Sequence, residues 1–186
     1  MKNIFCQPLT LDFDIDTSMI DKVNTNNSTN RVECRIEKID ERLENFLSSF
    51  NLMTQLSACF YTPPNFNRGW NHVDSSKLDN MVKLNYIIGG ENTVMRWFKF
   101  IGPEDHIVRQ ANTLGDPYAK FVSAECELIW EEELTGFCLV NAGIPHNIQN
   151  NSSHIRWSFS YGLLHLDTTR LQWNEIDGIF KNYYRN

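Results

Sequence analysis

Apolar and polar residues alternate with a period of two along much of the chain, which predicts strands. Leu9, Leu11, Phe13 and Ile15 alternate with Thr10, Asp12 and Asp14, so residues 4–15 read as an edge strand. In 56–62, Leu56, Ala58 and Phe60 share one face and Ser57, Cys59 and Tyr61 the other, until Pro63-Pro64 stops the run. Residues 82–88 set Val82, Leu84, Tyr86 and Ile88 against Lys83, Asn85 and Ile87. The Gly-Gly-Glu-Asn that follows is turn chemistry, so 93–100 should return as a hairpin strand. A strand is expected over 121–130, with Glu131-Glu132-Glu133 on a solvated bend. Near the end, an apolar run at 137–140 and an alternating run at 156–161 read as two short strands joined by a polar turn, Asn150-Asn151-Ser152-Ser153.

Two stretches carry helical spacing instead. Ile36, Ile39, Leu43, Phe46, Leu47 and Phe50 predict a helix over 36–50, lying across the back of a sheet. Trp173, Ile176, Ile179, Phe180 and Tyr183 predict a C-terminal helix over 168–184, with Asp167 or Thr168 as its N-cap. Residues 17–30 are polar and Asn-rich, a loop or a short irregular helix. Residues 65–68 form a loop that delivers His72. Residues 102–120 form a long polar excursion with Pro103, Gly115 and Pro117, of the kind that serves as a lid or substrate loop. Many short strands with few helices predict a mainly β protein with flanking helices, its core a double-stranded β-helix (a cupin-like jelly roll). No repeat or linker divides the chain, so residues 1–186 are expected to form one domain.

Composition narrows the classes of partner. The net charge is −6 and there is no basic stripe, which disfavours polymeric nucleic acid. The five cysteines are scattered without a C-x-x-C spacing, as buried thiols in a reducing compartment would be. The first residues lack an apolar signal core, and no apolar run approaches membrane-spanning length. These features predict a cytoplasmic protein, free of the membrane, acting on a small molecule or a peptide.

The candidate chemistry lies in two places. In 156–161, Arg156, Ser158 and Ser160 fall on one face and Trp157, Phe159 and Tyr161 on the other. If the aromatic face is buried, the polar face binds carboxylate wherever it lines a cavity. Upstream, His72 and Asp74 are two apart and point to the same side of an extended backbone. A Gly-Ile-Pro step brings the chain to His146. Two imidazoles and one carboxylate can occupy one face of a six-coordinate iron and leave three positions open. His-x-Asp alone is weak, since chance gives roughly 0.3 such pairs in a chain of this composition. A second pair, His165-Leu166-Asp167, has no later histidine or arginine strand to complete it. His106 and His154 sit in polar segments and read as solvated.

The ordered set of His72-x-Asp74, His146 and Arg156-x-Ser158 resembles the 2-oxoglutarate and Fe(II)-dependent oxygenase superfamily. The resemblance covers residues 56–162. More loosely, the whole chain resembles small oxygenase-like proteins of marine bacteria and their phages. It implies that His72, Asp74 and His146 bind iron, and that Arg156 and Ser158 hold the far carboxylate of 2-oxoglutarate. Tyr61 and Asn85, on faces expected to point inward, would be further donors to that cosubstrate; core or hydrogen-bonding roles are equally open to them. Trp70 and Trp97 are candidates to line a pocket. The implied activity is that of a 2-oxoglutarate-dependent dioxygenase, hydroxylating a small molecule or a side chain. The competing readings are a cupin-like metal-binding barrel without turnover, and a cupin isomerase or dioxygenase that needs no 2-oxoglutarate.

Overall fold

The computed structural model describes residues 3–23, 28–67, 69–75 and 80–185, and for residue 22 the backbone. Its strands are β1 (Cys6–Pro8), β2 (Val32–Arg35), β3 (Leu52–Thr62), β4 (Asn71–Val73), β5 (Val82–Gly89), β6 (Thr93–Phe100), β7 (Val108–Ala111), β8 (Pro117–Phe121), β9 (Cys126–Glu133), β10 (Gly136–Asn141), β11 (His146–Asn150) and β12 (Arg156–His165). Two α-helices, α1 (Glu41–Ser48) and α2 (Ile176–Phe180), flank them. All the pairings are antiparallel and make two six-stranded sheets, β1-β10-β5-β12-β3-β2 and β7-β8-β4-β11-β6-β9. Strands β10 and β5 of the first sheet pack on β6 and β11 of the second, and the chain crosses repeatedly from one sheet to the other. That is the jelly-roll pattern expected of the alternating sequence.

The two faces of the first sheet have different tasks. Its outer face carries Cys59, Tyr61, Leu84, Leu139, Trp157, Phe159 and Tyr161, which pack with Leu43 and Leu47 of α1 and Ile176 and Phe180 of α2 into the main core. Fully burying each large apolar side chain is worth about 1.5–3 kcal/mol. The inner face meets the second sheet in a smaller cluster, where Ile87, Cys138 and Val140 pack on Met95, Trp97 and Ile148. This leaves the inner positions nearer the mouth free for polar side chains. No helix of the described residues is long and apolar enough to cross a membrane.

Several elements depart from the sequence pattern, each for a local reason. The edge strand expected over 4–15 is paired only at Cys6–Pro8, with one further bridge from Leu9 to Tyr184. Helix α1 begins at Glu41, because Ile36 donates its N–H to the Ser57 carbonyl and so stays extended beside β3. The C-terminal helix is broken into a 3-10 turn at Trp173–Glu175, α2 and a second 3-10 turn at Lys181–Tyr183. Its cap is Gln172, in a reciprocal pair with Glu175, whereas Asp167 accepts from Thr169 in the preceding turn. Strand β6 makes no hairpin with β5. Gly89 and Gly90, at φ +68 and +72, turn the chain across to the other sheet. Glu131, Glu132 and Glu133 continue β9, opposite Arg96, Met95 and Val94 of β6.

Three further stretches change the picture of the site. The polar excursion over 102–120 contains β7 and β8, a hairpin whose inner strand pairs with β4 and sets Lys120 opposite His72. Residues 136–162 hold three strands, with His146 opening one of its own. The loop or short irregular helix expected over 17–30 opens with a 3-10 turn, Ser18–Lys22, and residues 24–27 lie outside the described residues. Arg68, expected in the loop before His72, also lies outside them.

Candidate metal and carboxylate site

Strands β4 and β11 pair so that His72 and His146 are direct neighbours, with ring centroids 4.6 Å apart. Asp74 follows β4 by one residue, and its backbone N–H donates to the Ala142 carbonyl. One ligand atom from each of His72, Asp74 and His146 lies within 4.8 Å of the others. The local sequence explains why the imidazoles point there. His72 Nδ1 lies 2.8 Å from the Trp70 carbonyl oxygen, and His146 Nδ1 lies 2.8 Å from that of Ile144. A carbonyl oxygen only accepts, so each Nδ1 carries the proton and donates it. In a neutral ring each Nε2 then offers a lone pair, the form that ligates metals.

These lone pairs face Asp74. His72 Nε2 is 3.4 Å from Asp74 Oδ1, and His146 Nε2 is 3.9 Å from Oδ2. Burial, with His72 beside it, pushes His146 down to about 3 against the pull of Asp74, so its ring is neutral at pH 7. Burial works to raise the Asp74 carboxyl, but the Lys83 ammonium leads the effects that outweigh it and hold the group well below the usual carboxylate range. Acceptor atoms converging on one point repel one another unless a cation lies among them. The donor set therefore fits a divalent metal.

Lys83 supplies a positive charge there already. Its Nζ lies 2.9 Å from Asp74 Oδ2, and the residue is buried. The sequence carried the signal, a lysine at an inward position of a strand that is otherwise almost wholly apolar, but it suggested no role.

Across the barrel, Arg156, Ser158 and Ser160 are buried on the inner face of β12. They register with Gly89, Ile87 and Asn85 of β5 and with Thr62, Phe60 and Ala58 of β3. Among the described residues no carboxylate lies within 4.0 Å of the Arg156 guanidinium. Its Nε is buried without a hydrogen bond, as is Oδ1 of Asn85. Burial and the nearby Arg31 push Arg156 down to about 10, against the Cys138 thiol, and it remains a cation at neutral pH. An unpaired buried guanidinium carries a desolvation cost that a bound carboxylate offsets.

These residues surround an inner cavity of about 30 Å³, lined by Arg31, His72, Asp74, Lys83, Asn85, Arg156 and Ser158 among others. That is room for about two water-sized groups, which suits a carboxylate. Arg31, Phe60, His72, Asp74 and Lys83 line both this cavity and an adjoining outer one of about 630 Å³. The β7–β8 hairpin walls the outer cavity with Gln110, Asn112, Tyr118 and Lys120.

Not every candidate from the sequence is at the site. Tyr61 is on the opposite face of β3 from Phe60, buried in the main core with its ring edge-on to Trp157 at 5.2 Å. The period of two that turns Ala58 and Phe60 toward the cavity turns Tyr61 away, so it cannot reach a ligand beside Arg156. Trp97 is core, donating its Nε1 hydrogen to the Asn141 carbonyl, while Trp70 stands exposed on the outer cavity's rim. His106 pairs with Glu125 and His165 with Glu175. Arg31, just before β2, was not foreseen: it follows an Asn-rich tract without periodicity, and only the fold carries it to the cavity.

No family model matches the chain, and no curated protein matches it. Among solved structures, ycfD of E. coli is similar at 15% identity with a TM-score of 0.34. The match covers 58% of this chain and 25% of that one, so the chain spans only a quarter of its length. A likeness so slight carries no argument about fold or activity.

Proposed function

We propose that the chain is an Fe(II)- and 2-oxoglutarate-dependent oxygenase that hydroxylates a small molecule or a side chain. The observation that carries this reading is one cavity with two opposed features. On one wall, His72, Asp74 and His146 converge; on the other, the buried Arg156 has no carboxylate partner among the described residues. His72, Asp74 and His146 would hold Fe(II), and with 2-oxoglutarate bound the metal supplies the activation of dioxygen. Arg156 binds the far carboxylate of 2-oxoglutarate through two parallel hydrogen bonds, and the Ser158 hydroxyl adds a third donor. Asn85, beside Ser160 on the neighbouring strand, donates from its amide to the same molecule. The inner cavity admits the carboxylate end, and the rest of the cosubstrate extends toward the triad. The apolar cluster of Met95, Trp97 and Ile148 keeps water from behind the site.

The purified chain, given Fe(II), ascorbate, oxygen and 2-oxoglutarate, is expected to release succinate faster than its His146→Ala variant does. Equal rates for the two proteins, across a broad panel of metabolites and peptides, would favour the second reading. That reading is a cupin-like binding or structural barrel without turnover, and the Lys83–Asp74 ion pair supports it, since this pair satisfies the carboxylate with no metal at all.

A further inference from the structure

The inner cavity holds more positive charge than the proposed metal and cosubstrate account for. Arg31, Lys83 and Arg156 all line it, against the single carboxylate of Asp74. Lys83 is committed to Asp74, and Arg156 to the cosubstrate on the reading above. Arg31 is left over. It borders both cavities. Its Nε is buried and makes no hydrogen bond, and no carboxylate of the described residues lies within 4.0 Å of its guanidinium. Glu33, two residues on, is held elsewhere: it accepts from the backbone N–H and the hydroxyl of Thr113, in the turn between β7 and β8. Asp116, the other carboxylate of the outer cavity, is paired with Arg35 at 2.7 Å.

Arg31 is also held in place. Its guanidinium carbon lies 4.2 Å from the centroid of the Phe60 ring, a cation–π contact. Around it the outer cavity supplies apolar surface, from Phe60, Phe66 and Trp70. A second cation, Lys120, lies over the Trp70 ring at 4.8 Å. A cavity of about 630 Å³ is of a size that encloses a small molecule.

We infer that Arg31 is an anion subsite for the primary substrate: a small molecule that sets a carboxylate or phosphate on this guanidinium and its apolar body against Phe60, Phe66 and Trp70. As a substrate anchor it rests on the oxygenase reading; as an anion site it does not. Its anion lies where the two cavities adjoin, which brings the adjoining part of the molecule beside His72 and Asp74, residues that line both.

The test is a calorimetric titration of the full chain, with Mn(II) and 2-oxoglutarate present, by benzoate, phenyl phosphate and benzamide. The first two are anions and the third is a neutral molecule of similar shape. Both anions, or one of them, should bind at least about tenfold tighter than benzamide, as a charge-assisted pair at a half-buried site would give. Which anion is tighter tells a carboxylate substrate from a phosphate one. Arg31→Gln should remove the preference and leave Mn(II) and 2-oxoglutarate affinities unchanged, while Arg31→Lys keeps much of it; circular dichroism checks that both variants fold. Equal binding of all three probes to the wild-type chain would overturn the subsite. So would a loss of 2-oxoglutarate affinity in Arg31→Gln as large as that in Arg156→Ala, which would assign Arg31 to the cosubstrate. If Mn(II) and 2-oxoglutarate fail to bind the wild-type chain, the oxygenase reading falls. The same three probes, titrated into the Arg156→Ala chain with and without Arg31→Gln, then decide the subsite by themselves.

Discussion

Lys83 Nζ lies 2.9 Å from Asp74 Oδ2, inside the group of side chains that would hold the metal. The ammonium therefore competes with a divalent ion for the same carboxylate. A like charge beside the metal position weakens metal binding, and Lys83→Met removes it while keeping an unbranched side chain of similar length. The variant is expected to bind Mn(II) about tenfold more tightly by calorimetry, a gain of about 1.4 kcal/mol. Weaker binding would mean that Lys83 supports the carboxylate more than it competes for it.

Arg156 has no carboxylate to lose among the described residues, so its removal should be felt only by a ligand. Leaving one partner of a buried, hydrogen-bonded charge pair alone typically costs roughly 2–5 kcal/mol. Arg156→Ala is expected to weaken 2-oxoglutarate binding by that amount and to leave Mn(II) uptake unchanged. Unchanged 2-oxoglutarate binding would make the arginine structural.

Gly90 bears on the same side chain. A Cβ at this position would lie 2.7 Å from Arg156 Cβ and 2.6 Å from Thr93 Oγ1, at a φ of +72. The left-handed backbone alone costs a non-glycine residue about 1–2 kcal/mol, and the clash pushes on Arg156. Gly90→Ala should lower the melting temperature and weaken 2-oxoglutarate binding, with metal affinity preserved. A variant that melted lower but bound 2-oxoglutarate normally would show that Arg156 does not depend on this turn.

Away from the site, Asp40 caps α1 and bonds the Arg42 side chain. That side chain, against the opposing effect of burial, and the N–H groups of Asp16 and Arg42 hold its carboxyl down to about 2. A carboxyl depressed on folding adds stability above its ordinary value of 3.8, and the contribution is lost as pH falls toward 2. Asp40→Asn keeps an accepting cap but loses the charge. Urea denaturation at pH 6 and pH 3 should show the wild-type chain losing more stability between the two than the variant. Equal losses would show that the pair is fully screened at this half-buried cap.

The barrel was legible because its strands alternate cleanly. Lys83, Asn85 and Ile87 face inward opposite Val82, Leu84 and Tyr86, as the spacing requires, and Arg156 and Ser158 lie opposite Trp157 and Phe159. Strand β11 was hidden because its buried polar residues break the pattern. Asn147 donates to Asn71 Oδ1, and Asn150 to the carbonyls of Pro63 and His154. Buried amides whose partners the sequence does not reveal look like turn residues when read alone. Tyr61 was misplaced because the sequence marks which residues share a face but not which face the cavity uses. Arg31 had no local pattern, and its position depends on the pairing of β2 with β3.

The most direct test of the oxygenase reading is an anaerobic titration of the chain with Fe(II) and then 2-oxoglutarate, followed by visible absorption. A weak charge-transfer band should grow to about one Fe(II) per chain, as a facial triad with a chelating oxo acid would give. It should persist in His165→Ala, whose imidazole pairs with Glu175, and vanish in His146→Ala. No band in the wild-type chain, or a band of equal strength in His146→Ala, would contradict the assignment of His72, Asp74 and His146 as the metal site.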